Sequence, residues 1–265
     1  MANVIAEEYK VSISRACKLM DIHRSYFYYE SVKDDSEVEE AIRQAGKYGE
    51  VFWKIYEILR SWGKPWNHKK VYRVYKNIHF EKRAKIKKRL PARVKNPLEA
   101  PIGHNITWSV DFVTDMLECG RKFRVFNIID DSDRVAVAQE ISMSFPAKRV
   151  ISTLEKVMWI YGKPKNIRCD NGPEFISKGF QHWCEGNEIN ILYTEPGCPF
   201  QNGYIERYNG TYRQCILDAY IFRTIGEVRE KTEEWMEYYN NERPHESLEN
   251  LPPMKYRTLK EMNND

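Results

Sequence analysis

The spacing of apolar residues predicts different secondary structure before and after about residue 104. From residue 104 onward, runs rich in β-branched and aromatic residues predict strands, whereas apolar positions three and four apart predict helices. Three strands, a helix, a strand, a helix, a strand and further helices indicate an α/β fold, a mixed sheet with helices on its faces. In chain order we predict strands over 107–115, 123–130 and 134–140, a helix over 146–161, a strand over 167–170, a helix over 173–186, a strand over 189–193, and helices over 201–217 and 227–240.

The first eighty residues predict helices. The stretch SISRACKLMDIHRSYFYY (12–29) fits a short helix, a turn and a second helix, which is a helix-turn-helix-like pattern. Apolar spacing over 37–62 predicts one or two helices, and HKKVYRVYKNI (68–78) predicts a basic helix. For 12–29, packing and DNA contact stay equal alternatives. For 68–78 we favour DNA contact, with Lys69, Lys70 and Arg73 as its candidates.

Charge is spread unevenly along the chain. Residues 1–98 contain 22 Lys and Arg against 12 Asp and Glu, a net +10, and the remainder contains 20 against 26, a net −6. A positive surface attracts nucleic acid, so the N-terminal third is predicted to supply most of the electrostatic contact with DNA. Residues 82–95 hold eight basic positions in fourteen and no acid. Such a run is ordinarily a solvated linker, but at this junction we favour phosphate contact through Lys85, Lys87, Lys88 and Arg89.

Composition excludes several classes of protein. The chain has no run of eighteen apolar residues and no signal-peptide core, so we expect no membrane association and a cytoplasmic location. The six cysteines form no CxxC pair and the six histidines no His-x3–5-His pair, so no zinc module is expected. No P-loop occurs, so ATP is not expected.

Three acids carry the candidate chemistry. Asp111 lies in the apolar run TWSVDFVTDM, Asp170 closes a short strand, and Glu206 lies in a predicted helix. A carboxylate inside a half-buried strand is costly unless it is paired or binds a metal. Carboxylates from three elements can meet at one point, where hard divalent cations such as Mg²⁺ find the oxygen ligands they prefer. The pattern predicts a metal-dependent polynucleotidyl transferase.

The helix that carries Glu206 also has a polar stripe. Its members step by four, three and four residues, so they share one helix face, which we predict to face metal and DNA. A solvated surface face is the alternative. The other acids nearby are predicted to be turn, edge or helix-start residues. The stripe consists of Asn202, Glu206, Asn209 and Arg213, and the other acids are Asp115, Asp130, Asp131, Asp133 and Glu174.

Several strings in the second half resemble one known family. WSVDFV, CDNGPEF, PGCPFQNGYIERYNGTYR and YNNERPHESLENLPPMKY occur in the order found in bacterial insertion-sequence transposases of the IS-three family, in the second-frame product. The resemblance covers about residues 104–257. It implies a ribonuclease-H-like, retroviral-integrase-like catalytic core with a mixed five-stranded sheet. It also implies Asp111, Asp170 and Glu206 as catalytic and metal-binding acids and Arg213 as a basic DNA contact.

The resemblance also sets expectations about organisation and partners. We expect two divalent ions, Mg²⁺ or Mn²⁺, as the cofactor. The partners are double-stranded DNA of element ends and target, further copies of the chain in the synaptic complex, and the first-frame product as fusion or partner, at the bacterial nucleoid. The expected segments are a helix-turn-helix-like part (1–35), a helical DNA-binding-like module (36–80), a basic linker (81–103), the integrase core (104–225) and a C-terminal helical extension (226–265).

Two other functions stay open at the level of sequence. A DNA-binding regulator or inhibitor of transposition would keep the core fold without being sufficient for catalysis. A nuclease that does not transpose would need neither Arg213 nor the long C-terminal helix. The presence of all three acids favours the transposase.

Overall fold

A computed structural model describes residues 2–28, 34–80, 100–195 and 199–262. These residues form two compact units, 1–40 and 41–265. No helix in the described ranges combines the length and apolar character needed to cross a membrane. The predicted subdivision of the second unit at residues 81, 104 and 226 stays a prediction.

Short helices make up the N-terminal part. Ser12 caps the helix that follows it by accepting a hydrogen bond from the Arg15 amide, and a turn then leads to the next helix. Two short helices separated by a turn are therefore present over 12–28, the described part of this predicted pattern. The helices are α1 (Ala2–Glu8), α2 (Ile13–Leu19), α3 (Arg24–Phe27), α4 (Ser36–Ala45), α5 (Phe52–Ser61) and α6 (His68–Asn77).

The second half is built on one mixed sheet, as predicted. Its strand order is β3-β2-β1-β4-β5, with β1 antiparallel to β2, β2 antiparallel to β3, and both β1–β4 and β4–β5 parallel. The elements in chain order are β1 (Thr107–Met116), β2 (Lys122–Asp130), β3 (Ala136–Ser142), α7 (Ala147–Tyr161), β4 (Asn166–Cys169), α8 (Lys178–Gly186), β5 (Asn190–Tyr193), α9 (Gly203–Tyr212), α10 (Ile225–Asn241) and α11 (Pro253–Met262).

Each face of the sheet is covered by helices. On one face, Trp108 and Val110 of β1 pack in a core that also contains residues of α7 and α8, such as Leu154 and Phe180. On the other face lie α9 and α10, where Tyr208 and Tyr212 pack around Trp235. Successive strand residues point to opposite faces, so Asp111 faces the α9 side while its neighbours Val110 and Phe112 belong to the α7–α8 core.

Two structural details extend or correct the sequence predictions. Asn240 of α10 exchanges two hydrogen bonds of 2.9 Å with the backbone of Ala136, which covers the edge strand β3. The helix predicted from Pro173 begins instead at Lys178, with Ser177 as its N-cap. Residues 173–175 form a turn instead, and the side chain of Phe175 in this turn is buried in the core.

Candidate functional site

Asp111 lies in the middle of β1 and is held by two hydrogen bonds. The Phe112 amide donates to Oδ1 at 2.7 Å, and Nδ2 of Asn209 on α9 donates to Oδ2 at 2.7 Å. One donor belongs to the strand itself and the other to the helix packed above it. The carboxylate therefore has a fixed orientation at the contact between sheet and α9.

A chain of amide side chains supports that orientation. Asp111, Asn127 and Gln139 are direct cross-strand partners in β1, β2 and β3. Gln139 Nε2 donates to Asn127 Oδ1 at 3.0 Å, Asn127 Nδ2 donates to Asn209 Oδ1 at 2.7 Å, and Asn209 donates to Asp111. We call Gln139, Asn127 and Asn209 the amide chain. Our sequence analysis missed Asn127 and Gln139, although an Asn inside the apolar run KFRVFNIID was a visible signal.

Asp170 follows the last residue of β4. Because β1 and β4 are parallel and Ser109 pairs with Arg168, two further residues along each strand bring Asp111 and Asp170 to the same level of the sheet. The Gly172 amide donates to Asp170 Oδ1 at 3.0 Å. Asp170 is exposed, so its carboxylate is accessible from solvent.

Glu206 lies on α9, three residues before Asn209 and therefore on a neighbouring part of the same helix face. It is exposed, and partial burial raises the pKa of its carboxyl. α9 therefore places Glu206 close to Asn209, the residue that donates a hydrogen bond to Asp111.

The electrostatics of Asp111 reflect this convergence. Burial, with smaller contributions from the negative charges of Asp170 and Glu206, raises the pKa of Asp111 to about 6, although the hydrogen bonds from the Phe112 amide and Asn209 oppose the rise. Asp170 and Glu206 therefore both lie within electrostatic range of Asp111. Within the described ranges, no three His, Cys, Asp or Glu side chains are arranged so that they could hold a metal ion together.

Comparison with known proteins identifies the family. Two family models described as integrase core domain match residues 103–199 and 187–253, and together they span more than half of the chain. A protein of insertion element IS476 from Xanthomonas euvesicatoria is 31% identical over 94% of this chain and 73% of its own length. A protein of insertion element IS407 from Burkholderia multivorans is 30% identical over 96% of this chain and 93% of its own length.

The chain belongs to the integrase-core transposases of insertion elements. Its mixed five-stranded sheet with flanking helices is ribonuclease-H-like. Among solved structures, the HTLV-2 integrase catalytic core in complex with magnesium matches 58% of this chain and 96% of its own, with 18% identity and a TM-score of 0.47. The regulator considered as an alternative is not favoured by these matches.

The remaining stripe residues of the transposase occupy different environments. Asn202 precedes α9 and is 6% exposed, and its Oδ1 is buried without a hydrogen-bond partner. Asn209 is also largely buried, at 9%, because it belongs to the amide chain. Arg213 donates to the Thr114 carbonyl at 2.8 Å and lies 3.7 Å from Asp115, so its guanidinium lies along β1.

The predicted basic contacts lie in the N-terminal third. Lys69 is exposed on α6, and Lys70 and Arg73 are partly exposed on the same helix, which buries Val71 and Val74 on its other side. Lys85, Lys87, Lys88 and Arg89 lie outside the described residues.

The other acids of the core form ion pairs. Glu174 pairs with Arg124, and Asp131 pairs with Arg168. Asp130 and Asp133 are buried with Arg257 of α11, whose Nε lies 2.6 Å from Asp133 Oδ2. Asp133 lies in a turn and Asp130 at a strand end, as predicted, whereas their burial and their pairing with Arg257 were not predicted. The prediction of Glu174 at a helix start was wrong, because this residue lies in the turn before α8.

The amide chain leads to a prediction for this transposase. Replacing Asn127 by Leu leaves Asn209 Oδ1 and Gln139 Nε2 without partners, which costs about 1–3 kcal/mol of unfolding free energy. Since Asn209 then loses the hydrogen bond from Asn127 that fixes its orientation, we expect DNA cleavage to slow while DNA affinity stays near wild type. Urea unfolding, cleavage and band-shift measurements check this. Asn190→Leu, on the exposed side of β5, is the control and should change cleavage little. Unchanged cleavage in Asn127→Leu would contradict the positioning role.

Proposed function

We propose that this transposase cuts DNA at the ends of its insertion element and joins the freed ends to target DNA, with Asp111, Asp170 and Glu206 holding divalent metal ions. The family match supports polynucleotidyl transfer. The observation that carries the residue assignment is geometric: Asp111 and Asp170 lie at the same level of the parallel neighbours β1 and β4, and α9, which carries Glu206, contacts Asp111 through Asn209. A partly buried carboxylate within electrostatic range of two further carboxylates is unfavourable as an anion unless positive charge compensates it.

The donor set fits hard cations. All three candidate ligands are carboxylates, and such oxygen ligands favour Mg²⁺ or Mn²⁺ over softer metals. When bound, a pair of such ions activates the attacking oxygen and stabilises the leaving oxygen in phosphoryl transfer. We therefore propose two Mg²⁺ or Mn²⁺ ions as the cofactor.

The residues of the chain supply orientation and access. Asp111 is fixed by Asn209 and by the Phe112 amide, so little reorganisation is needed at this ligand when DNA binds. Asp170 and Glu206 are exposed and accessible to substrate. In the cut, a water oxygen attacks phosphorus and the bond to the 3′-oxygen breaks. In the join, the released 3′-hydroxyl attacks a phosphodiester of the target and displaces another 3′-oxygen. Neither step needs a covalent bond to the protein.

The partners follow from the same proposal. Double-stranded DNA of the element ends and of the target is the substrate, and several copies of the chain act in the synaptic complex at the nucleoid. The first-frame product acts as a fusion or partner. An assay of cleavage and joining on DNA that carries the element ends, with Mg²⁺, tests the function. Cutting without joining would instead support the simple nuclease.

The basic segment is proposed to bind phosphates. Replacing Lys85, Lys87, Lys88 and Arg89 with Ala should weaken binding equally on specific and random DNA. It should also flatten the salt dependence of affinity, by about 0.9 in the log–log slope for each lost contact. Band shifts over a range of salt concentrations measure this. A slope equal to that of wild type would show that the segment is only a spacer.

A further inference from the structure

A cavity of about 600 Å³ lies beside α9, and none of the three acids lines it. It is lined by residues of α5, the connection between β2 and β3, α9, and the segment after α10, all within the unit of residues 41–265. Four of its side chains are cationic, namely Lys54, Arg134, Arg207 and Arg243, and one, Glu246, is acidic. The cavity is therefore strongly positive.

Most of this charge has no acid in contact. Arg243 pairs with Glu50, but among the described residues no salt bridge reaches Lys54, Arg134 or Arg207. Burial lowers the pKa of Lys54; Cys215 opposes this shift, the nearby charge of Arg207 adds to it, and Glu246 has a smaller opposing effect. Cations that converge in a partly buried site are unfavourable without a compensating anion.

Three polar atoms of the cavity lining are buried and lack hydrogen-bond partners in the described structure. They are Nη1 of Arg134, Nε2 of His245 and the hydroxyl of Tyr208, a side chain that is 2% exposed. Burial, followed by the charges of the surrounding cations, holds the pKa of His245 far below its usual range. Its imidazole is therefore neutral and can donate one hydrogen bond from Nε2 in the matching tautomer. All three groups are hydrogen-bond donors in residues that line the cavity, and no described protein group accepts from them.

We propose that this cavity binds a phosphate group of the DNA backbone away from the bond that is cut. Arginine matches phosphate oxygens with a planar fork of donors and lysine with a point charge, so Arg134, Arg207 and Lys54 suit this ligand. The assignment of this phosphate to DNA rests on the proposed function.

The geometry of α9 separates the two sites. Arg207 and Asn209 are two residues apart, which places them about 160° apart around the helix axis. Asn209 faces Asp111, so Arg207 faces away from the three acids and into the cavity. One helix thus carries a residue of the cutting site, Glu206, beside a residue of the phosphate cavity. We infer that a phosphate bound there fixes the position of α9 relative to the DNA.

The first test uses inorganic phosphate and no metal. At matched ionic strength, phosphate should raise the melting temperature of the full chain above that in chloride. Lys54→Met and Arg207→Met should each lose most of this rise. Lys156→Met, which removes an exposed cation from α7, is the matched control and should keep it. In phosphate-free buffer Lys54→Met should melt no lower than wild type, because it removes a poorly compensated charge. A full phosphate-dependent rise in both cavity variants, or no rise in wild type, would overturn the proposal.

The second test asks whether DNA carries the phosphate. Binding of a random-sequence duplex, measured without metal, should weaken several-fold in Lys54→Met and Arg207→Met relative to Lys156→Met. The salt slope should fall by about 0.9 for each lost contact. If a variant loses the phosphate-dependent rise in melting temperature but binds DNA like wild type, the proposal that the cavity binds a DNA phosphate is overturned. Neither measurement depends on cleavage, so an inactive protein leaves this test intact, and failure here leaves the three-acid proposal standing.

Discussion

Replacing Asp170 by Asn is expected to abolish DNA cutting and joining while DNA affinity stays within a few-fold of wild type. Asp170 is exposed after the end of β4, and its one side-chain hydrogen bond within the described residues comes from the Gly172 amide, which an Asn oxygen can still accept. The change therefore removes a negative ligand without disturbing the core. A loss of about 3 kcal/mol in transition-state stabilisation lowers the rate by about a hundredfold, and metal-ion catalysis supplies several kcal/mol.

Band-shift and cleavage assays on one preparation decide this prediction. Glu185→Gln removes one negative charge from an exposed position of α8 and is the control, since its side chain is 82% exposed. It should cut DNA like wild type. Cleavage by Asp170→Asn at the control's rate would remove Asp170 from the site.

Replacing Arg257 by Met is expected to destabilise the protein by about 3–5 kcal/mol, because it leaves buried carboxylates without their cation. Arg257 is 8% exposed, and its guanidinium reaches Asp133 at 2.6 Å and Asp130 at 3.3 Å. Burial raises the pKa of Asp133, and the hydrogen bond from Arg257 is the largest effect that opposes the rise. The substitution should therefore destabilise the sheet as well as α11.

Urea unfolding measures this loss. Lys255→Met on the exposed side of α11 is the control and should change stability by less than about 0.5 kcal/mol. Adding Asp133→Asn to Arg257→Met should recover part of the stability, because the second change removes one of the unpaired charges. A loss below about 1 kcal/mol in Arg257→Met would mean that water reaches these carboxylates and the pair is not truly buried.

Local patterns predicted the sheet well because each strand has its own signal. The order of strands and helices and most of their limits follow from apolar spacing, and Asp111 was placed correctly inside β1. The start of α8 was missed because a proline after an Asn-Gly pair fits a helix start, whereas burial of Phe175 favours a turn there. Tertiary packing outweighed a local signal.

Contacts between distant residues account for what the sequence could not predict. Asn209 and Asp111 are 98 residues apart, and Arg257 and Asp130 are 127 apart. Sequence periodicity does not connect residues so far apart. The polar stripe on α9 therefore could not predict that Asn209 faces the sheet and bonds to Asp111. The cationic cavity was missed for the same reason, since Lys54, Arg134 and Arg207 come from three separate elements.

Titrating metal into wild type and Glu206→Gln, with strand cleavage as the readout, tests the central claim most directly. The substitution keeps the shape of an exposed side chain on α9 and leaves Asn209 and its bond to Asp111 in place, so it changes little besides one negative ligand. We expect Mg²⁺ or Mn²⁺ to support cleavage by wild type. Ca²⁺ should allow assembly on DNA with little cleavage, because its longer and looser coordination holds the reacting oxygens poorly. Glu206→Gln should stay inactive at every metal concentration that saturates wild type. Robust cleavage by wild type in EDTA, or by Glu206→Gln in Mg²⁺, would contradict the account.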